Sequence, residues 1–158
     1  MAGYGEDNGF EAWLTDNGLA LPDGSLAVAV LRQRGSSYID GLYGAKFSGV
    51  PTAGLAQDRA WPRSGACAFG QAIPDSVVPV AVVHASYAAA YQEAIKPGSL
   101  AVSATSSGAL KRKKIDAIEK EYFEGSGDAV ADNTLRLSAV EGLLAPFLRT
   151  PEVAVFVV

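Results

Sequence analysis

The chain has 158 residues and a mass of 16.4 kDa, which suits a single domain. It is 49% hydrophobic and 19% charged, with 13 Lys+Arg against 17 Asp+Glu, one Cys and one His. Those numbers exclude an internal disulfide framework and a structural zinc site, and they argue against a disordered chain and a strongly basic nucleic-acid binder.

The opening MAGYGEDNGF has neither a basic n-region nor an apolar h-region, so it does not read as a secretory signal. Residues 1–9 are small and polar, and the expectation is a flexible or partner-ordered N-terminus. No stretch offers about 18 consecutive apolar residues, and a lone thiol fits a soluble intracellular assembly. Phe10, Trp13 and Leu14 fall at i, i+3, i+4 and predict a short helix ending near Asn17-Gly18. Leu21–Ser25 reads as a turn in which Asp23 or Ser25 caps the next helix. That helix is predicted over Leu26–Tyr43, with Leu26, Val30, Leu31, Tyr38, Ile39 and Leu42 as its apolar stripe. Arg32 and Arg34 stand among its polar positions. Gly35 and Gly41 weaken it, each by about 1 kcal/mol against Ala.

From Gly44 to Asp75 the sequence breaks into Gly, Pro and Ser, a long irregular loop of the kind that is functional or partner-bound. Pro79 then suits the first turn of a helix over Val80–Ile95, which Lys96-Pro97-Gly98 stops. This segment has almost no polar face, and a helix apolar all round must be covered on all sides. The surplus face reads as a subunit interface, with an ordinary core helix as the competing reading. Ser99–Gly108 is a small-residue linker. Over 109–124 the pattern is ambiguous. A helix would align Ile115, Ile118 and Tyr122; a hairpin would set Lys111–Ile115 against Ile118–Phe123, although Asp116-Ala117 is a poor tight turn. Ser138 and Glu141 form a capping box before Val140, Leu143, Leu144, Phe147 and Leu148, a short helix bent or ended by Pro146. The tail Val153–Val158 is an uncharged β-forming strand that has to pair with something.

Chemistry is hard to place on this chain. His84 has only Ala, Val and Ser close by, so packing is the better reading than general acid–base work. Cys67 has Arg63 as its sole nearby cation, too little for a reactive thiolate. Lys111-Arg112-Lys113-Lys114 is answered at once by Asp116, Glu119, Glu121 and Glu124, which suits a solvated face or intersubunit ion pairs. No dinucleotide, phosphate-loop, nucleophile-elbow or zinc-protease motif occurs. The expectation is a non-enzymatic protein without cofactor or metal. Trp61-Pro62-Arg63 stands out. A loop Trp must bury its ring, and Arg63 offers a planar fork; either the loop is pinned to its own core or the pair anchors an interface.

Taken in order, Glu11-Ala-Trp-Leu14, Ser37-Tyr-Ile-Asp40-Gly-Leu-Tyr43, Gln57, Ala60-Trp-Pro-Arg-Ser-Gly65, Ile73-Pro-Asp-Ser-Val-Val-Pro79, Leu110–Ile115, Ile118–Tyr122 and Val140–Phe147 form a recognisable series. The series resembles the small tailed-phage head–tail connector (adaptor) proteins often labelled DnaT-like ssDNA-binding. The resemblance covers roughly residues 10 to 149; the segment before Phe10 looks abbreviated and Val153–Val158 is unmatched. It implies a mainly α fold: a small bundle of about four helices with the long loop 44–75, a hairpin at 109–124, and a C-terminal arm at 150–158. It also implies a dodecameric homo-oligomeric ring in the virion neck, assembled in the host cytoplasm. Such a ring binds the portal and a stopper or tail-terminator protein, and genomic DNA passes through a mildly acidic channel without specific binding. The residues expected at its interfaces are Trp61, Arg63, Tyr87, Tyr91, Val153, Val155 and Phe156. The alternative is a single-stranded nucleic-acid-binding replication accessory using Lys111–Lys114, Arg32 and Arg34.

Overall fold

The computed structural model describes residues 2–101 and 135–149. The expected hairpin at 109–124, most of the Ser99–Gly108 linker and the arm at 150–158, with Val153, Val155 and Phe156, lie outside them. Within the described residues the fold is mainly α. Its four helices are α1 (Asp7–Asp16), α2 (Val28–Tyr43), α3 (Val80–Ile95) and α4 (Ser138–Leu144). Among the described residues no helix is long and apolar enough to cross a membrane.

The N-terminus departs from the expectation of looseness. Helix α1 begins at Asp7, three residues before the apolar pattern does, and Asp7 places its charge in the first turn where the helix dipole favours it. Tyr4 is buried, and the Arg32 guanidinium donates to the carbonyls of Tyr4 at 3.0 Å and Gly5. No periodicity marks this strap because one buried tyrosine and hydrogen bonds to Arg32 and Ser36 hold it, not a repeating apolar face. Phe10 and Leu14 are buried as expected, in a cluster with Leu31, Tyr87, Ala90 and Ala94.

Helix α2 starts two residues later than predicted. Its N-cap position is Ala27, which has no side chain to cap with, so neither Asp23 nor Ser25 caps it. Gly35 is no mere weak point. A Cβ there would stand 2.7 Å from the Ala90 backbone nitrogen, so glycine lets α2 and α3 approach backbone to backbone. Gly41 has open space around it and carries only the propensity penalty.

The loop after α2 contains more regular structure than its composition suggests. Strands β1 (Val50–Pro51) and β2 (Arg63–Ser64) pair antiparallel, Val50 opposite Ser64, with a 3₁₀ turn over Gly54–Ala56 between them. Strands β3 (Cys67–Ala68) and β4 (Gln71–Ala72) form a second, tighter hairpin, Cys67 opposite Ala72. Both hairpins lie over the main core, in which Phe47, Trp61, Ala66 and Ala68 meet Ile39, Tyr43, Val82 and Ala89. Two-residue strands carry too little alternation to be legible in sequence.

Helix α3 matches its predicted span, with Pro79 at the N-cap. Its own chain covers most of it, correcting the view of a largely surplus apolar face. Val82, Ala85, Ser86, Tyr87, Ala89, Ala90 and Ala94 are all buried, because small residues let α2 sit close while α1 and α4 flank it. After α3, the buried Glu93 carboxylate accepts the Gly98 N–H at 2.9 Å and the Leu100 N–H at 3.3 Å, which fixes the chain's exit.

Helix α4 closes the core with Val140 and Leu144, and a 3₁₀ turn over Ala145–Phe147 contains Pro146. The expected capping box does not form. Ser138 is already helical behind Leu137, and Glu141 instead accepts from Tyr43 and Arg136, at 3.4 and 3.3 Å. The chain then runs antiparallel to residues 46–48. The Ser48 N–H donates to Phe147 O at 2.9 Å and the Arg149 N–H to Lys46 O at 2.8 Å.

Candidate assembly surfaces

The two residues that looked most like interface anchors are used inside the chain. Trp61 is 2% exposed, edge-on to Phe47 at 5.5 Å and to Phe147 at 6.1 Å between ring centroids. Its indole N–H has no partner among the described residues, so the ring is held by packing alone. Arg63 is 3% exposed and sits in a socket of main-chain carbonyls. It donates to Ser48 and Gly49 at 2.8 Å and to Ala60 at 3.0 Å. Its fork geometry suits such a socket. Burial, and then the neighbouring Arg149 charge, pull this guanidinium below its ordinary pKa. The loop is therefore pinned to its own core, and neither residue offers a surface to a partner.

Tyr87 is likewise internal. It packs on Phe10 at 5.2 Å, and its hydroxyl accepts the Glu6 N–H at 3.1 Å and donates to the Glu6 carbonyl at 3.2 Å. Of the expected interface residues within the described chain, Tyr91 alone borders open space. It lies with His84 and Ala88 on the strip of α3 that the other described elements leave uncovered. Trp13 of α1 and Leu143 of α4 wall that strip into a groove of about 720 Å³. His84 lies beside Tyr87, ring centroids 6.2 Å apart, in a mixed lining that holds Trp13, Tyr91 and Leu143 but also Asp16, Asn17 and Gln92. Cys67 is exposed on β3, where its N–H and C=O both bond the Ser48 hydroxyl at 3.2 Å.

The described arginines share one property that sequence reasoning missed. Arg32 pairs with Asp7 at 2.7 Å, Arg34 with Glu93 at 2.7 Å, Arg59 with Asp40 at 3.2 Å and Arg136 with Glu141 at 3.3 Å. Arg63 and Arg149 both donate to the Gly49 carbonyl, at 2.8 and 3.1 Å. Every described arginine is thus engaged within the fold. The two described lysines, Lys46 and Lys96, follow the C-terminal ends of α2 and α3 and form no cluster. Apart from Arg136 with Glu141, five positions on, these pairings leave no signal in the sequence, the farthest of them joining residues 100 positions apart.

What the surface does offer is apolar. Leu55 in the 3₁₀ turn is fully exposed, and Phe69, between β3 and β4, is 83% exposed. Val50, Val77 and Val80 are exposed as well, as are Leu26, Val30 and Ile95.

A family model described as "Putative DnaT-like ssDNA binding protein" matches residues 4–158. The chain belongs to that family. The match runs through the N-terminal strap and the C-terminal arm, so both ends that looked abbreviated or unmatched fall within the family's own length. No curated protein and no solved structure matches the chain.

Proposed function

We propose that this protein is a non-enzymatic head–tail adaptor of a tailed phage or phage-like particle. Copies form a ring in the neck, join the portal to the next neck or tail component and surround the DNA channel. The observation that carries this reading is the internal commitment of all the described arginines, beside the exposed apolar side chains of Leu55 and Phe69. A surface built to hold a nucleic-acid strand needs free cations interleaved with exposed aromatic rings. Here Arg32 and Arg34, two of the cations assigned to that role, are engaged with Asp7 and Glu93. Tight packing around Leu55 and Phe69 by neighbouring proteins would remove apolar surface that water otherwise covers. Electron microscopy of particles tests the reading: density for the chain between portal and tail is expected, and its absence from the neck overturns it.

The family description favours a second reading, a single-stranded nucleic-acid-binding accessory protein. Its cations would be Lys111–Lys114, outside the described residues, since the arginines of the described fold are engaged. A binding titration with single-stranded DNA over a salt series separates the two. Affinity that falls steeply as salt rises supports the accessory reading, through counterion release. No binding near physiological salt leaves the adaptor.

A further inference from the structure

The hairpin joining β3 to β4 breaks a local rule. Its two central residues, Phe69 and Gly70, have φ of 53° and 74°. Two positive φ values in a two-residue loop define the mirror-image turn that fits the twist of a hairpin, and Asn, Asp or Gly is preferred at its first position. Phe69 is the one non-glycine residue of positive φ among the described residues. A bulky side chain in that conformation is sterically disfavoured. The ring gains nothing from the fold in return, being 83% exposed with no aromatic partner among the described residues. A strained position that folding does not explain points to a use outside the monomer.

The same chain carries a receptor of matching chemistry. The groove over His84, Ala88 and Tyr91, walled by Trp13 and Leu143 and lined also by the polar Asp16, Asn17 and Gln92, has about 720 Å³. That is ample for an aromatic ring, whose burial removes about 150–250 Å² from water. Its aromatic side walls allow edge-on and offset contacts with a phenyl group. We infer that Phe69 of one copy inserts into the α1–α3–α4 groove of a second copy, at Ala88 between Trp13 and Tyr91. Knob and groove are different surfaces of one chain, so the contact is head-to-tail: it propagates from copy to copy and closes only if the rotation between copies allows a ring. The inference rests on the self-assembly part of the proposed function and names the residues that carry it. Phe69 adopts its conformation at the expense of the turn because the hairpin has to present an apolar tip.

Phe69→Asn separates docking from folding, since Asn suits the turn better than Phe and removes the knob. Ala88→Arg fills the groove floor. The test is sedimentation velocity of the full chain over a concentration series, for the parent, each variant and their equimolar mixture, with thermal melting alongside. The parent is expected to associate beyond a dimer. Each variant alone is expected to stay monomeric where the parent is assembled, a shift of at least about tenfold in midpoint concentration. At concentrations where the parent is itself monomeric, Phe69→Asn is expected to melt no lower than the parent. The mixture should give one-to-one pairs and nothing larger, because one good knob meets one good groove. Association of Phe69→Asn like the parent overturns the inference, and so does a parent that stays monomeric throughout or stops at a symmetric dimer. A neck location established by microscopy with unchanged assembly of Phe69→Asn sinks this contact alone. Absence from the neck with assembly abolished by Phe69→Asn sinks the adaptor alone.

Discussion

Arg32 on α2 lies 2.7 Å from the Asp7 carboxylate at the start of α1, and the same guanidinium holds the main-chain carbonyls before it. One side chain thereby ties the N-terminal strap to the helical core. Arg32→Ala leaves buried carbonyls without donors and should destabilise the fold by about 2–3 kcal/mol. Asp7 is 55% exposed, so Asp7→Asn should lower stability by under about 1 kcal/mol. Urea unfolding of both variants checks the order, and equal losses would show that the carbonyl contacts contribute nothing.

Glu93 sets an acid limit on stability. Burial alone would push its carboxyl up. The N–H groups of Gly98 and Leu100 and the Arg34 guanidinium outweigh that and hold it below the usual carboxylate range. A depressed folded-state pKa contributes stability that is present above the unfolded value. That stability is lost as pH falls through the folded value. The parent should therefore lose melting temperature steadily below about pH 4. Glu93→Gln should start lower at neutral pH and fall less steeply. Parallel melting curves from pH 3 to 7 in parent and variant would remove Glu93 from the account.

Two glycines of one helix should respond in opposite directions. Gly41→Ala is expected to stabilise α2 by about 0.5–1 kcal/mol, since nothing surrounds the new methyl. Gly35→Ala drives a methyl into the α3 backbone and should cost about 1–3 kcal/mol. Thermal unfolding of the pair is the measurement. Stabilisation by both would mean the helices can part without penalty.

Arg63→Lys tests whether the loop is pinned or presented. A lysine cannot reproduce the fork that reaches Ser48, Gly49 and Ala60, so a loss of about 1–3 kcal/mol is expected. Association should survive under conditions where the variant is folded. A variant as stable as the parent but defective in assembly would return Arg63 to an interface.

The helices were legible because each has a periodic apolar face: Phe10 and Leu14 in α1, Leu31, Tyr38 and Ile39 in α2, Val140 and Leu144 in α4. The uninterrupted run between Pro79 and Pro97 marked α3 without ambiguity. Caps were misread for a consistent reason. Asp23, Ser25 and Ser138 have the right chemistry, but the helices start at Val28 and Ser138 with Ala27 and Leu137 before them, where burial of the following face sets the start. The hairpins were illegible because two residues cannot show an alternation. Trp61 and Arg63 stand out in sequence, but their chemistry suits a core socket as well as an interface, and local pattern cannot separate the two.

Composition and periodicity determined the four described helices, a demanding apolar helix at Val80–Ile95 and an absence of recognisable catalytic motifs. Those are local properties, set by the order of apolar and polar side chains along a few turns. The tertiary structure alone decided which apolar surface remains free. It buried Trp61, Arg63 and Tyr87 in their own chain, engaged the described arginines within the fold, and left the α3 strip and the Phe69 tip open among the described residues. Exposure depends on which elements meet through contacts tens of residues apart, such as Arg34 with Glu93 and Tyr4 with Trp61. Such pairings leave no periodic trace in the sequence that encodes them.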